Sequence, residues 1–207
     1  MALDIQTLVD PEHTALVTQE CQRGVMGDLS QLPELASNSR EALPNIAKLV
    51  IAARAAGVAV VHCVAEQRPD GRGGNHNARI FQYMAKTPMR LVQGSDAAAI
   101  VPEIPVHVSD IVLSRLHGLS PFQGTELDFV LRNLGVTTIV GVGVSVNVAI
   151  QNLAFDAVNS GYQMVIPRDA VAGFPRDYVE AVFANTLGAV STLVRSEDLL
   201  AAWRVRP

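Results

Sequence analysis

Residues 58–64 read V-A-V-V-H-C-V, apolar at all but one position. A strand with one wet face alternates apolar and polar side chains, whereas a strand that is apolar throughout has to be covered on both sides. Comparable short runs recur at 14–18 (T-A-L-V-T), 111–113, 137–142 and 163–167, with 191–194 as a sixth. Stretches of helical spacing lie between them. Ile46, Leu49, Val50 and Ala53 share one face of a helix over 43–56, which Gly57 stops. Thr125, with Asp128 three residues on, reads as a capping box before the stripe Leu127, Val130, Leu131 and Leu134. Ile150, Leu153, Ala154, Ala157 and Val158 mark a third helix, residues 179–190 a fourth and residues 197–203 a fifth. Such alternation predicts an α/β chain with a parallel sheet and helices on both faces.

The remaining segments read as irregular. Residues 1–13 form an arm, and 23–39, with Gly24, Gly27, Asp28 and Pro33, a loop. Residues 66–105 are the least regular third, with one or two helical turns at 81–86. Their R-P-D-G-R-G-G run at 68–74 is a loop that its glycines let move over a site. A length of 207 residues suits one domain with a full core. The net charge of −4, with no run of Lys or Arg, gives no reason to expect nucleic acid or a membrane surface as partner. Cys21 and Cys63 sit in no metal-ligand spacing and fit a reducing, cytoplasmic compartment. The first residues lack the basic and apolar regions of a signal peptide, and no apolar run reaches membrane-spanning length. With 5% aromatic residues and no nucleotide or flavin motif, no organic cofactor is expected, and no metal.

In an open parallel sheet, ligands bind where the carboxyl ends of strands meet helix amino termini. That places Glu20, Cys21 and Gln22 after the first strand, and His62 and Cys63 at the end of the second. Ser114, Arg115 and His117 follow the third, and Val144, Ser145, Asn147, Val148 and Ala149 follow the fourth. An acid, a guanidinium and a helix amino terminus around one crevice suit an anionic or carbonyl-bearing small molecule. Each residue also has a plainer reading. Glu20 and Arg115 can be an ion pair, Cys21 and Cys63 buried inert thiols, His62 a hydrogen-bonded strand residue and Asn147 a helix cap.

The segments T-A-L-V-T-Q-E-C-Q, S-P-F-Q-G-T-E-L, G-V-S-V-N-V-A-I, D-A-V-N-S-G-Y and P-R-D-A-V-A-G, in that order, resemble the isochorismatase-like hydrolase (cysteine hydrolase) superfamily, which includes nicotinamidases and carbamoyl-amide hydrolases. The resemblance covers residues 14 to about 200. It implies a three-layer α/β/α sandwich on a six-stranded parallel sheet, a homodimer or homotetramer, and a cis peptide at Val144–Ser145. Most of the superfamily uses an Asp, a Lys and a Cys. Carried over by position, the Asp falls on Glu20, the Lys on or next to Arg115, and the Cys on Ala149. Gln22, His62, His117, Phe122, Val144, Ser145 and Val148 then fall in the substrate-binding set.

A methyl group cannot form an acyl-enzyme, so the usual covalent amide hydrolysis is not expected. What fits is acid/base-assisted attack of water on a small, carboxylated substrate, for example an enol ether, with Glu20 as acid/base and Arg115 as anion clamp. The alternative is a non-catalytic member that binds a small molecule or a protein partner in the inherited pocket. Burial raises a carboxyl pKa and a nearby cation lowers it, and the sequence leaves that balance at Glu20 open.

Overall fold

The computed structural model describes residues 4–87 and 90–204. The elements run in the order α1 (Ile5–Leu8), β1 (Thr14–Gln19), α2 (Pro33–Ala56), β2 (Ala59–Ala65), α3 (Arg79–Met84), β3 (Ile111–Arg115), α4 (Leu127–Asn133), β4 (Thr138–Val144) and α5 (Ala149–Asn159). After these come β5 (Gln163–Pro167), β6 (Val171–Ala172), α6 (Arg176–Val182), a π-helical segment (Phe183–Leu187), α7 (Gly188–Val190), β7 (Thr192–Val194) and α8 (Ser196–Ala202). All strand pairs are parallel, in the order β3-β2-β1-β4-β5-β7, with the two-residue β6 pairing the end of β4. The expected sheet thus has a seventh short strand, built from the corner after Pro167.

The order reverses direction between β1 and β4, which places the ligand crevice of a doubly wound sheet at their carboxyl ends. Register sets what meets there. Gln19 is level with Cys63 on one side and Gly143 on the other, and Ala65 is level with Arg115. Glu20, one residue past β1, therefore comes up beside the last residue of β3. Gly143 is required for this closeness. Its φ is +108°, and a Cβ there would lie 2.3 Å from the Gln19 carbonyl oxygen.

Each face of the sheet is sealed by its own apolar layer. Leu16, Val60, Val140, Val142 and Val165 meet Leu35, Ile46, Leu49 and Ala53 of α2 and Leu199 of α8. Ala15, Val17, Val61, Ile139 and Ile166 meet Leu127 and Leu131 of α4, Ile150, Leu153 and Ala157 of α5, and Val182 of α6. A fully buried Leu or Ile in these layers contributes about 1.5–3 kcal/mol.

Three segments differ from the sequence reading. Helix α2 begins at Pro33, ten residues before the predicted start, because Pro33 occupies the first turn, where its missing N–H costs nothing. Leu35, Ser39 and Ala42 extend the buried stripe, and Pro44 sits exposed on the outer side, where the carbonyl it leaves unpaired meets water. The predicted arm contains α1 and a 3₁₀ turn (Pro11–His13), capped by Asp4 and Asp10; residues 1–3 of it lie outside the described residues. In α4 the cap is Glu126 without a side-chain bond, and Thr125 instead accepts from the Leu127 N–H and donates to the Pro121 carbonyl. Among the described residues, no helix is long and apolar enough to cross a membrane.

Candidate active site

The carboxyl edge of the sheet opens into a cavity of about 550 Å³. Glu20, Arg115, His117, Ser145, Val148 and Ala149, all expected from sequence, line it. Glu20 has φ +51°, the left-handed region, and is the one non-glycine residue in that region among the described residues. Such a backbone costs about 1–2 kcal/mol. It turns the chain sharply out of β1 and is held by the bond from the Glu20 N–H to the Cys63 carbonyl (2.9 Å).

The bonding of Glu20 is lopsided. Its Oε1 accepts from the Gln19 amide (3.1 Å) and from Arg115 Nη2, while Oε2 takes no hydrogen bond among the described residues. The carboxyl is 17% exposed, on the cavity side. Burial is the largest influence and pushes its pKa up, opposed by the Arg115 charge and the Gln19 amide. Arg115 is 8% exposed and fully engaged: Nη2 donates to Glu20, and Nη1 donates to the Gly118 and His117 carbonyls. The loop that holds those carbonyls is tied to α5 by Ser120, which donates to Asp156.

The opposite wall is the turn into α5. The Val144–Ser145 peptide is cis. Val148 is the N-cap, with no side-chain cap, and Ala149 is the first helical residue, 5% exposed. The helix itself leaves that residue's N–H unpaired, so a donor and the positive end of the helix lie at the cavity lining. Asn147 does not cap α5. Its side chain accepts from the Phe174 N–H (3.0 Å) and donates to the Phe174 carbonyl, fastening the turn to the segment after β6.

Four expected substrate-binding residues lie elsewhere. His62 is wholly buried, because β2 runs on to Ala65 and leaves it inside the sheet, bonded to Thr18 (2.7 Å) and Asp110 (3.2 Å). Gln22 is buried and stitches the Ala65 N–H and carbonyl to the Ala98 carbonyl. Phe122 turns into the layer under α4 and α5, 6.0 Å from the Tyr162 ring centroid. Val144 ends β4 with its side chain in the layer beneath α2. Cys21 and Cys63 are buried, lie outside the cavity lining, and burial pushes both thiols up to about 12, far from a thiolate at neutral pH.

The sequence reading missed the roof of the cavity. Residues 66–91 supply Gln67, Arg68, Arg72, Asn75, Phe81, Met84 and Arg90 to the lining, and Leu35 and Phe174 close the apolar floor. The R-P-D-G-R-G-G run was the available signal, but only its glycines, not its arginines, entered the reading.

The chain matches the family model described as Isochorismatase domain over residues 14–198. It is 29% identical over 185 residues to the ureidoacrylate amidohydrolase RutB of Agrobacterium fabrum, covering 82% of this chain and 80% of that protein. Among solved structures it resembles a cysteine hydrolase from Pseudomonas syringae pv. phaseolicola (TM-score 0.81, 21% identity, 95% of this chain and 94% of that one). It also resembles the N-carbamoylsarcosine amidase of Thermoplasma acidophilum (TM-score 0.71, 25% identity, 89% and 97%).

Proposed function

The chain belongs to the isochorismatase family, and from that membership we propose that it hydrolyses a small molecule without a covalent intermediate, with Glu20 moving the proton and water attacking. The observation that carries this reading is the Glu20 carboxyl, with one oxygen unbonded at the cavity wall, facing a helix terminus whose first residue is Ala149 rather than a nucleophile. A carboxyl pushed up by burial keeps its proton at a higher pH, which suits a general acid.

On an enol ether, Glu20 delivers its proton to the vinyl carbon, and the π pair forms the new C–H bond. Water adds to the resulting oxocarbenium carbon and returns a proton to the Glu20 carboxylate, and the hemiketal breaks into alcohol and carbonyl compound. On an amide or ureide, the class named for the relative RutB, the ionised Glu20 takes a proton from water as water attacks. The Ala149 N–H meets the developing oxyanion, and as the tetrahedral adduct collapses the C–N bond breaks and Glu20 returns the proton to the leaving nitrogen. Arg115 holds Glu20 in place in both cases.

The test is turnover of a panel of enol ethers, amides and ureides. Glu20→Gln is expected to lose about 10²–10⁴-fold in kcat/KM, with a melting temperature close to that of the parent. With Glu20 as acid, kcat/KM falls as pH rises through its raised pKa; with Glu20 as base it rises over the same range. Full activity in Glu20→Gln would overturn the reading. A second reading is favoured by Ala149 itself: the family scaffold without its nucleophile is a binding protein. It is the better one if nothing in the panel turns over while a panel member raises the melting temperature.

A further inference from the structure

Resting on the reading of this cavity as a small-molecule site, we propose that Arg90, assisted by Arg72, is the group that holds a carboxylate on the ligand, so that the ligand is a small organic anion gripped at the roof, away from Glu20.

The chain carries a net −4, yet the cavity lining brings together four guanidinium groups (Arg68, Arg72, Arg90 and Arg115) against two carboxylates (Glu20 and Glu66). A positive, partly enclosed lining in an acidic protein concentrates anions. Four of these six groups are ion-paired or bonded locally, Glu20 and Arg115 by each other. Arg115 is spent on Glu20 and two carbonyls. Arg68 forms a two-point ion pair with Asp70, with Nε–Oδ1 3.0 Å and Nη2–Oδ2 2.9 Å. Glu66 accepts from Ser114.

Arg90 and Arg72 have no carboxylate partner among the described residues. Arg90 is half-buried, and among the described residues its one bonded side-chain atom is Nε, which donates to the neutral Gln67 Oε1 (3.0 Å). That bond leaves both terminal nitrogens free, the pair that grips a carboxylate at two points. Its direction is set by a built support. Gln67 is clipped to the chain on either side of Val92, its N–H donating to the Leu91 carbonyl (2.7 Å) and its carbonyl accepting from the Gln93 N–H (3.0 Å). Gly71, at φ +68°, passes so close that a Cβ would lie 3.1 Å from Arg90 Nη2, so the loop that carries Arg72 leans directly on this guanidinium. Phe81, Met84 and Leu91 line the same cavity and give it an apolar wall. A half-buried guanidinium fixed by a neutral amide beside an apolar wall is a site awaiting an anion.

The test reads binding, not turnover. Affinities of the full chain are measured by titration calorimetry and saturation-transfer NMR for benzoate, hexanoate and glutarate, each beside its neutral amide (for glutarate, the diamide). At least one carboxylate is expected to bind about tenfold or more tighter than its amide, and to weaken as salt rises. Arg90→Gln should remove that advantage and leave the amide unchanged. Arg90→Lys, which keeps the charge and loses the fork, should retain part of it, and Arg72→Gln should lose about threefold. The idea is overturned if no carboxylate binds, if carboxylate and amide bind alike, or if Arg90→Gln leaves the preference intact. Glu20→Gln should still bind the carboxylate, so a failed hydrolase reading and a failed anion clamp give different results.

Discussion

Glu20 with Arg115, and Asp110 with Arg54, are both acid–guanidinium pairs packed against the same half of the sheet, yet one carboxylate borders a cavity and the other is closed off. The Asp110 side chain is 1% exposed and bonded at both oxygens. It accepts from Arg54 Nε and Nη2, from the His107 N–H, and lies 3.2 Å from His62 Nε2. His62 in turn reaches Thr18, so the chain from β1 to the start of β3 is pinned by one network. Glu20 spends only one oxygen. A carboxylate with both oxygens bonded and almost no exposure can hold a fold together but is poorly placed to exchange a proton with a ligand. The contrast shows that composition does not separate a structural pair from a candidate catalytic one; the unsatisfied atom does.

The sharpest way to break this contrast is Asp110→Ala. It takes the carboxylate from the buried His62 and from the partly exposed Arg54 and is expected to cost about 3–5 kcal/mol of folding stability by urea unfolding. If Glu20→Gln costs as much, the two clusters do not differ in kind.

Next in size is Arg115→Met. The Glu20 carboxyl can escape an unpaired buried charge by taking up a proton, so the stability loss should stay near 1–3 kcal/mol. Turnover should fall as deeply as in Glu20→Gln, since nothing then positions the acid. Preserved turnover would show that the pair is only a strut.

The smallest effect is in the pH dependence of stability, where the clusters should have opposite signs. Burial lowers the His62 pKa, against the pull of Asp110. The unfolded chain then binds the proton more readily, so this contribution is full above about pH 6.5 and is lost as pH falls below it, with a slope of up to about 1.4 kcal/mol per pH unit. Glu20 is raised instead. Its native state holds the proton longer than the unfolded chain, so stability falls as pH rises above the ordinary carboxyl value of 4.5 toward the raised one. Urea unfolding between pH 4 and 8 should show His62→Asn flattening the acid-side slope and Glu20→Gln flattening the opposing one. The same slope in both variants would contradict the assignment.

Much of the fold was legible because burial on both sides leaves a compositional trace. The runs at 58–64, 137–142 and 163–167 could be little else than covered parallel strands, and β2, β4 and β5 lie there with shifts of one or two residues. What went unread had weak or misleading local signals. The first ten residues of α2, with Pro33, Ser37, Asn38 and Ser39, fell mostly in a segment read as a loop, and they are helical because Leu35, Ser39 and Ala42 extend the stripe packed on the sheet. Among site residues, Glu20, Arg115 and Ala149 could be located by position along the chain. Gln22 and His62 could not, because strand side chains alternate faces and a shift of a residue or two at a strand end decides between cavity and core.

The order of residues by itself determined the class of fold and the strand ends that converge, since these depend on local pattern. Only the three-dimensional arrangement decided which polar groups were already satisfied. Arg54, Arg90 and Arg115 are the same side chain in the sequence. One is locked to Asp110, one is consumed by Glu20 and two carbonyls, and one rests on a neutral glutamine at a cavity wall. Hydrogen-bond satisfaction is a sum over neighbours brought together from distant parts of the chain, and no local pattern encodes that sum.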